Sequence, residues 1–198
     1  MDTGKSYSLL LLAGGKSRRM GTDKASLLYG GKTFAELIIE KAEKIGISRI
    51  FISGFDFEGN KGKVVWDQFP DRGPLGGIHA CMKEMDTPFC LILPVDVPEL
   101  PVNILEGLLD YHENHRSGLT AKREIPLLWQ HGDRREPLIG IYPVVMAKKI
   151  EEMIKESALP VFRVLDRWGY ECYFQDVSEE SIINVNTPEL YKKLLKKK

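Results

Sequence analysis

Residues 8–25 read SLLLLAGGKSRRMGTDKA, a short apolar run that leads directly into adjacent glycines and then into basic residues. The continuous apolar run is typical of a strand that is buried on both faces, as in a parallel sheet. Ligands bind at the carboxyl ends of such strands, where this loop would lie. Gly14 and Gly15 leave the backbone N–H groups of a tight turn accessible to phosphate. The sequence therefore predicts a polyphosphate site, with Arg19 and Lys24 as cationic donors.

Two better-known phosphate-binding motifs do not fit this loop. A P-loop needs a glycine five positions before Gly15, and that position is Leu10, within the predicted strand. The dinucleotide fingerprint G-x-G-x-x-G is absent, because Gly14 and Gly15 are adjacent and the next glycine is Gly21. A glycine turn that carries surface bases is the alternative, but the clustering of basic residues just after the strand favours phosphate.

The remaining sequence alternates strand-like and helix-like segments. Further strands are predicted at residues 49–53, 64–66, 89–93, 119–122, 127–131, 138–142 and 171–175. Helices are predicted at residues 33–45, 77–85, 102–114, 144–156 and 161–168, and from Pro188 onward. The first helix opens with Thr33 and Glu36 at the spacing of a capping box. We therefore predict one α/β domain, residues 1–198, with helices on both faces of a mostly parallel sheet that has an antiparallel portion in its second half.

The composition restricts the class of protein. The 28 basic and 28 acidic side chains cancel, so no overall charge would attract nucleic acid or an anionic membrane. The apolar run at 9–13 is too short for the hydrophobic region of a signal peptide or for a membrane-spanning helix. Cys81, Cys90 and Cys172 are far apart and form no C-x-x-C, which argues against a disulfide framework and a zinc site. We expect a cytoplasmic protein without nucleic-acid or membrane partners, whose scattered histidines are surface or packing residues.

Two aspartates follow predicted strands at the same edge of the sheet. Asp67 comes after a short strand, and the turn-forming GPLGGI at 73–78 leads from it into a helix N-terminus. Asp96 comes after the strongest apolar strand. Because Mg²⁺ prefers one or two carboxylates together with substrate phosphates and waters, Asp96 is the candidate metal ligand. The alternatives are a turn that serves only packing for Asp67, and a loop cap for Asp96.

Two asparagines come directly before the last predicted helix, in the segment IINVNTPE at 182–189. Asn184 and Asn186 alternate outward from a short predicted strand, so their amides could reach an acceptor phosphate or a metal-bound water. The alternative is that Asn186 and Thr187 terminate the strand and cap the helix, and for Thr187 the capping role is favoured.

Five segments have a spacing that is typical of one protein family. Residues 12–24 fit L-A-G-G-x-x-x-R-M-G-x-D-K, residues 73–78 fit G-P-L-x-G-I, residues 137–142 fit P-L-x-x-x-Y, and residues 184–188 fit N-V-N-T-P. Residues 94–98 fit P-C-D-x-P except that Val95 replaces the cysteine, which argues against an essential thiol there. In order and spacing these segments, spread over almost the whole chain, resemble the molybdenum cofactor guanylyltransferases of the MobA type.

The resemblance implies a three-layer Rossmann-like fold of the nucleotide-diphospho-sugar transferase type. It also implies that the chain is an enzyme, a nucleotidyltransferase. Its reaction would transfer GMP from GTP to molybdopterin, with or without molybdenum, release pyrophosphate and form the molybdopterin guanine dinucleotide cofactor. It implies catalytic roles for Arg19, Lys24 and Asp96, with Mg²⁺ at Asp96. It also implies that the nucleotide contacts Leu12, Ala13, Gly14, Gly15, Lys24, Asp67 and Asp96.

The sequence also allows other functions. The same chemistry could transfer a cytidylyl group to molybdopterin, or a nucleotide to another phosphorylated acceptor. A reading of a different class is a GTP-binding accessory protein without turnover. The resemblance also implies transient contact with a molybdenum cofactor carrier or with the apo-oxidoreductase that receives the product.

Overall fold

The computed structural model describes residues 6–14, 23–57, 59–116, 125–178 and 182–197. Its strands are β1 (Tyr7–Leu12), β2 (Leu28–Tyr29), β3 (Lys32–Thr33), β4 (Ile50–Ser53), β5 (Lys63–Val65), β6 (Phe89–Pro94), β7 (Leu127–His131), β8 (Arg134–Pro143) and β9 (Glu171–Phe174). Its helices are α1 (Phe34–Lys44), α2 (Pro74–Lys83), α3 (Val102–Arg116), α4 (Met146–Ile154), α5 (Val161–Trp168) and α6 (Pro188–Leu195). A 3-10 turn spans Lys24–Ser26.

The central sheet has seven strands in the order β5-β4-β1-β6-β8-β7-β9. Strand β1 pairs in parallel with β4 and with β6, and β4 pairs in parallel with β5. Strand β8 runs antiparallel to both neighbours, whereas β7 and β9 are parallel. The predicted mostly parallel sheet with an antiparallel portion in the second half is confirmed.

Both faces of the sheet are covered, which explains the uninterrupted apolar run of β1. Leu9 and Leu11 belong to one core cluster, which includes side chains of α1, α3 and α6. Leu10 belongs to the other, which includes side chains of α2, α4 and α5. All three leucines are fully buried. Alternate side chains of a strand point to opposite faces, so a strand between two helical layers must be apolar throughout.

Local signals set two helix starts as predicted. The Glu36 amide donates to Thr33 Oγ1 at 3.2 Å, and the Thr33 amide donates to Glu36 Oε2 at 2.7 Å, which completes the capping box. Thr187 is the N-cap of α6, where its hydroxyl accepts from the Leu190 amide at 3.3 Å, and Pro188 occupies the first turn.

Several predicted boundaries differ from the structure. Helix α2 begins at Pro74 rather than at 77, because proline suits the first turn of a helix. Strand β8 begins at Arg134 rather than at 138. The β2–β3 hairpin was not predicted, since two-residue strands show no periodicity. The strand predicted at 119–122 lies outside the described residues. Within the described ranges, no helix is long and apolar enough to cross a lipid bilayer.

Candidate active site

The predicted site residues gather at the carboxyl edge of the parallel strands. Leu12 ends β1, and Ala13 and Gly14 follow it. Asp67 lies two residues beyond β5, and Asp96 lies two residues beyond β6. Because these strands are parallel, their ends meet at one edge of the sheet. Gly15 and Arg19, which were also predicted for this site, lie outside the described residues.

Lys24 joins the first loop to two other segments of the site. Its Nζ lies 3.4 Å from Asp96 Oδ2 and donates to Asn186 Oδ1. The lysine is held in place by the 3-10 turn, whose Ala25 is fully buried and donates its amide to Asp23 Oδ1 at 3.1 Å. The Lys24 and Asp96 side chains are 19% and 18% exposed, so solvent and a ligand can still reach both.

The C-terminal segment docks against the Asp96 loop. The Val185 amide donates to the Asp96 carbonyl oxygen at 2.8 Å, and the Val185 side chain is fully buried in the core. The strand predicted for this segment is wrong: its backbone bonds to a turn beyond the end of β6, not to a neighbouring strand. Asn184 Oδ1 is buried without a hydrogen-bond partner among the described residues. A buried acceptor without a partner is costly, so this oxygen is a candidate contact for a ligand.

Gly14 allows the ends of β1 and β4 to approach closely. Its amide donates to the Ser53 carbonyl oxygen at 2.6 Å. A Cβ at this position would lie 2.9 Å from that oxygen and 3.1 Å from the Cα of Gly54, so a side chain would push the two strand ends apart. Close backbone approach therefore requires this glycine of the predicted phosphate loop.

Asp67 lies against the first turn of α2. Its Oδ1 accepts from the Phe69 amide at 2.8 Å. A Cβ on Gly76 would lie only 2.2 Å from Asp67 Oδ2, so Gly76 makes room for the carboxylate. The glycines of the GPLGGI segment thus have a specific spatial role, which its turn-forming sequence alone did not reveal.

Arg72 anchors the Asp67 loop to a helix on the same face, and sequence reasoning missed it. Its Nε donates to the Ile154 carbonyl oxygen at 2.7 Å, and its Nη2 lies 3.3 Å from the Lys155 carbonyl oxygen. These carbonyls belong to the C-terminal end of α4, where cationic donors are favourable. The partners are 82 and 83 positions away, so no local pattern could have identified the contact.

The residues at this edge fit a magnesium site that the substrate completes. No group of three or more His, Cys, Asp or Glu side chains in the described part of the chain could enclose a metal. A single carboxylate on Asp96 with the nearby amide oxygens suits Mg²⁺, which relies on phosphates and waters for its other ligands. The ammonium of Lys24 next to that carboxylate suits the same polyphosphate.

The two buried thiols and the two buried histidines do not supply a nucleophile or a base. Burial raises the pKa of Cys81 to about 12, and burial also raises the pKa of Cys90. His112 is buried, and its Nδ1 lies 2.8 Å from the Tyr7 hydroxyl. His79 is fully buried against Phe69, with Nε2 3.3 Å from Glu151 Oε2. These contacts are those of packing residues, as predicted.

Comparison with known proteins identifies the family of the chain. Residues 9–169 match the family model described as the MobA-like NTP transferase domain. A protein of Geobacillus sp. (strain WCH70), named probable molybdenum cofactor guanylyltransferase, is 31% identical over 191 residues, which cover 90% of this chain and 93% of that protein.

Two solved structures share the fold. The molybdopterin-guanine dinucleotide biosynthesis protein A of Archaeoglobus fulgidus has a TM-score of 0.74 and 24% identity, covering 96% of this chain and 97% of that one. A manganese complex of a protein from Mycobacterium tuberculosis H37Rv has a TM-score of 0.68 and 13% identity, covering 97% and 98%. Because the family model matches residues 9–169 and the Geobacillus relative is 31% identical over 90% of this chain, the chain belongs to the family of the MobA-like NTP transferase domain.

Proposed function

We propose that this chain is a molybdenum cofactor guanylyltransferase, which transfers GMP from GTP to the terminal phosphate of molybdopterin and releases pyrophosphate. The observation that carries the proposal is the convergence of Lys24, Asp96 and Asn186 at the carboxyl edge. Lys24 provides a positive charge for the triphosphate, and Asp96 provides a carboxylate for its metal ion. The Geobacillus relative of this chain is named as such an enzyme.

The chemistry needs positioning and charge neutralisation more than covalent catalysis. The acceptor phosphate is already ionised at neutral pH, so it can attack the α-phosphorus in line without a general base, and pyrophosphate leaves. Lys24 and Arg19, with the amide of Gly15, would neutralise and hold the triphosphate. The Gly14 amide, which the sequence also predicted as a phosphate donor, is bonded to the Ser53 carbonyl oxygen, so Gly14 would shape the loop instead. Leu12 and Ala13 would contact the base through their backbone, and Asp67 would add a further contact.

Asp96 would hold a magnesium ion, with Asn184 and Asn186 contacting its waters or the acceptor phosphate. Bound Mg²⁺ supplies positive charge that stabilises the attacking and leaving oxygens. The manganese complex of the fold neighbour supports the use of a divalent cation by a protein of this fold. The choice of Mg²⁺ follows from the single carboxylate and the phosphate-rich substrate.

We also propose the domain organisation, the location and the partners of the enzyme. Residues 1–198 act as a single nucleotidyltransferase domain in the cytoplasm, and the product passes through transient contact with a cofactor carrier or an apo-oxidoreductase. The seven-stranded sheet, which takes strands from both halves of the chain, supports a single folding unit.

The test is magnesium-dependent release of pyrophosphate from GTP, CTP, ATP and UTP, each with and without molybdopterin. Release from GTP alone, and only with the pterin, is the expected result. Release from another triphosphate would keep the enzyme class and overturn the choice of base. Tight GTP binding without release in the presence of molybdopterin would overturn the proposal in favour of a binding protein.

A further inference from the structure

We propose that Glu99 is a positioning residue for this site. It holds the hairpin that follows Lys24, and the helix that follows Asn186, against the loop that carries Asp96. The inference rests on the proposed function, in which these three side chains act on the same phosphates and must keep a fixed spacing.

Each carboxylate oxygen of Glu99 has a partner from a different segment. The Tyr29 hydroxyl donates to Oε1 at 2.9 Å, and Lys197 Nζ donates to Oε2 at 2.8 Å. The Lys197 and Glu99 side chains are 25% and 22% exposed, whereas the surface pair Lys63–Glu84 is 56% and 42% exposed. Charged hydrogen bonds that are partly shielded from water are stronger and more directional than those of exposed pairs.

The segments that meet at Glu99 also contact one another. The Tyr191 hydroxyl of α6 donates to the Leu28 carbonyl oxygen of the hairpin at 2.8 Å. The Tyr191 ring packs edge-on against Phe34, at the start of α1, with 5.9 Å between centroids. Together with the Lys24–Asn186 bond, these contacts connect the hairpin, α6 and the Asp96 loop to one another. Loosening one tie therefore lets the catalytic groups move relative to one another.

Helix α6 depends on these polar ties because its apolar anchoring is small. Of its residues, Leu194 is the buried one. Elements with few buried apolar contacts open locally at a small free-energy cost. The helix directly follows Asn186, so opening of the helix would withdraw the amide that Lys24 contacts.

The experiment compares Glu99→Ala with Glu84→Ala, which removes a more exposed ion pair at the opposite edge of the sheet. Tyr29→Phe and Lys197→Met remove one donor each. We expect Glu99→Ala to lower kcat about tenfold, because small misplacements of reacting groups are costly. We expect KM for GTP to change less than kcat, because Leu12, Ala13 and Asp67, which are also proposed to bind the nucleotide, lie outside the contacts that Glu99 makes. A purely structural role would lower the melting temperature and, well below that temperature, leave kcat per folded molecule unchanged.

Hydrogen exchange provides a readout that does not need turnover. We expect faster exchange of the Val185 amide and of residues 188–197 in Glu99→Ala than in Glu84→Ala. Wild-type kcat in Glu99→Ala would overturn the inference. If Glu99→Ala does not fold, the two single-donor variants decide in the same way. If the wild-type protein releases no pyrophosphate, the proposed function fails, and unchanged exchange in Glu99→Ala would then overturn the positioning role separately.

Discussion

Lys24 Nζ lies 3.4 Å from Asp96 Oδ2, although the two residues are 72 positions apart in the chain. The same ammonium donates to Asn186, so a cation from the first loop stands between a carboxylate and an amide from two later segments. A triphosphate with a bound divalent cation would satisfy both charges, with phosphate oxygens at the lysine and the cation at the aspartate.

Lys24→Met is expected to lower kcat/KM for GTP more than a hundredfold. This corresponds to a loss of roughly 3 kcal/mol of transition-state stabilisation, because the substitution removes a positive charge near the phosphates. Steady-state pyrophosphate release measures the effect. Lys63→Met is the matched control, since Lys63 is exposed at the opposite edge. A Lys24→Met enzyme within a few-fold of wild type would contradict the assigned role.

Gly76→Ala is expected to raise KM for GTP, because the new Cβ would displace the Asp67 carboxylate that lies 2.2 Å from its position. Asp67→Ala removes both the carboxylate and the clash. The KM of the double variant should therefore be no higher than that of Asp67→Ala alone, because the effects of substitutions at residues in direct contact are not additive. Additive losses in the four-enzyme cycle would show that Gly76 and Asp67 act independently.

Arg72→Ala is expected to raise KM for GTP more than it changes kcat, because the Asp67 loop would lose its anchor at the end of α4. Arg72→Lys should recover part of the affinity, since an ammonium can still donate to the last carbonyls of a helix. Arg49→Ala, which breaks an exposed pair with Asp86, is the control. Equal GTP affinity in Arg72→Ala and Arg49→Ala, measured by calorimetry, would rule out the anchoring role.

The thiols are expected to be unreactive except at Cys172. Native protein at pH 8 should be alkylated by iodoacetamide first at Cys172, which is half-buried, because burial keeps Cys81 and Cys90 in the unreactive thiol form. Peptide mass spectrometry identifies the labelled residue, and transferase activity should survive this labelling. Rapid labelling of Cys81 would show that α2 opens.

The pH dependence of stability follows from the same burial. The pKa of Cys81 rises from 9.0 to about 12 in the folded chain, so its contribution is complete below 9.0 and is lost as the pH rises towards the folded value. The free energy of unfolding should therefore fall above pH 9.0 more steeply in the wild type than in Cys81→Ala. Urea titrations at a series of pH values measure the difference, and parallel curves would contradict the assignment.

Local sequence was sufficient for most elements of this fold. The apolar run of β1 identified a strand buried on both faces, and Thr33 with Glu36 identified the start of α1, because both signals depend on residues next to one another. The same logic placed Asp67 and Asp96 just beyond the ends of strands. It failed for the β2–β3 hairpin and for the segment before α6, where the elements are too short or irregular to have a period.

By itself, the sequence determined the α/β class, the family spacing and the candidate residues at the carboxyl edge. Only the tertiary structure decided which of these residues meet: Lys24 with Asp96 and Asn186, and Arg72 with the end of α4. It also showed that Gly76 makes room for Asp67 and that Glu99 links two distant segments. The reason is physical: periodicity and capping arise between neighbours in sequence, whereas these contacts depend on the order of strands in the sheet and on how the helices pack over it.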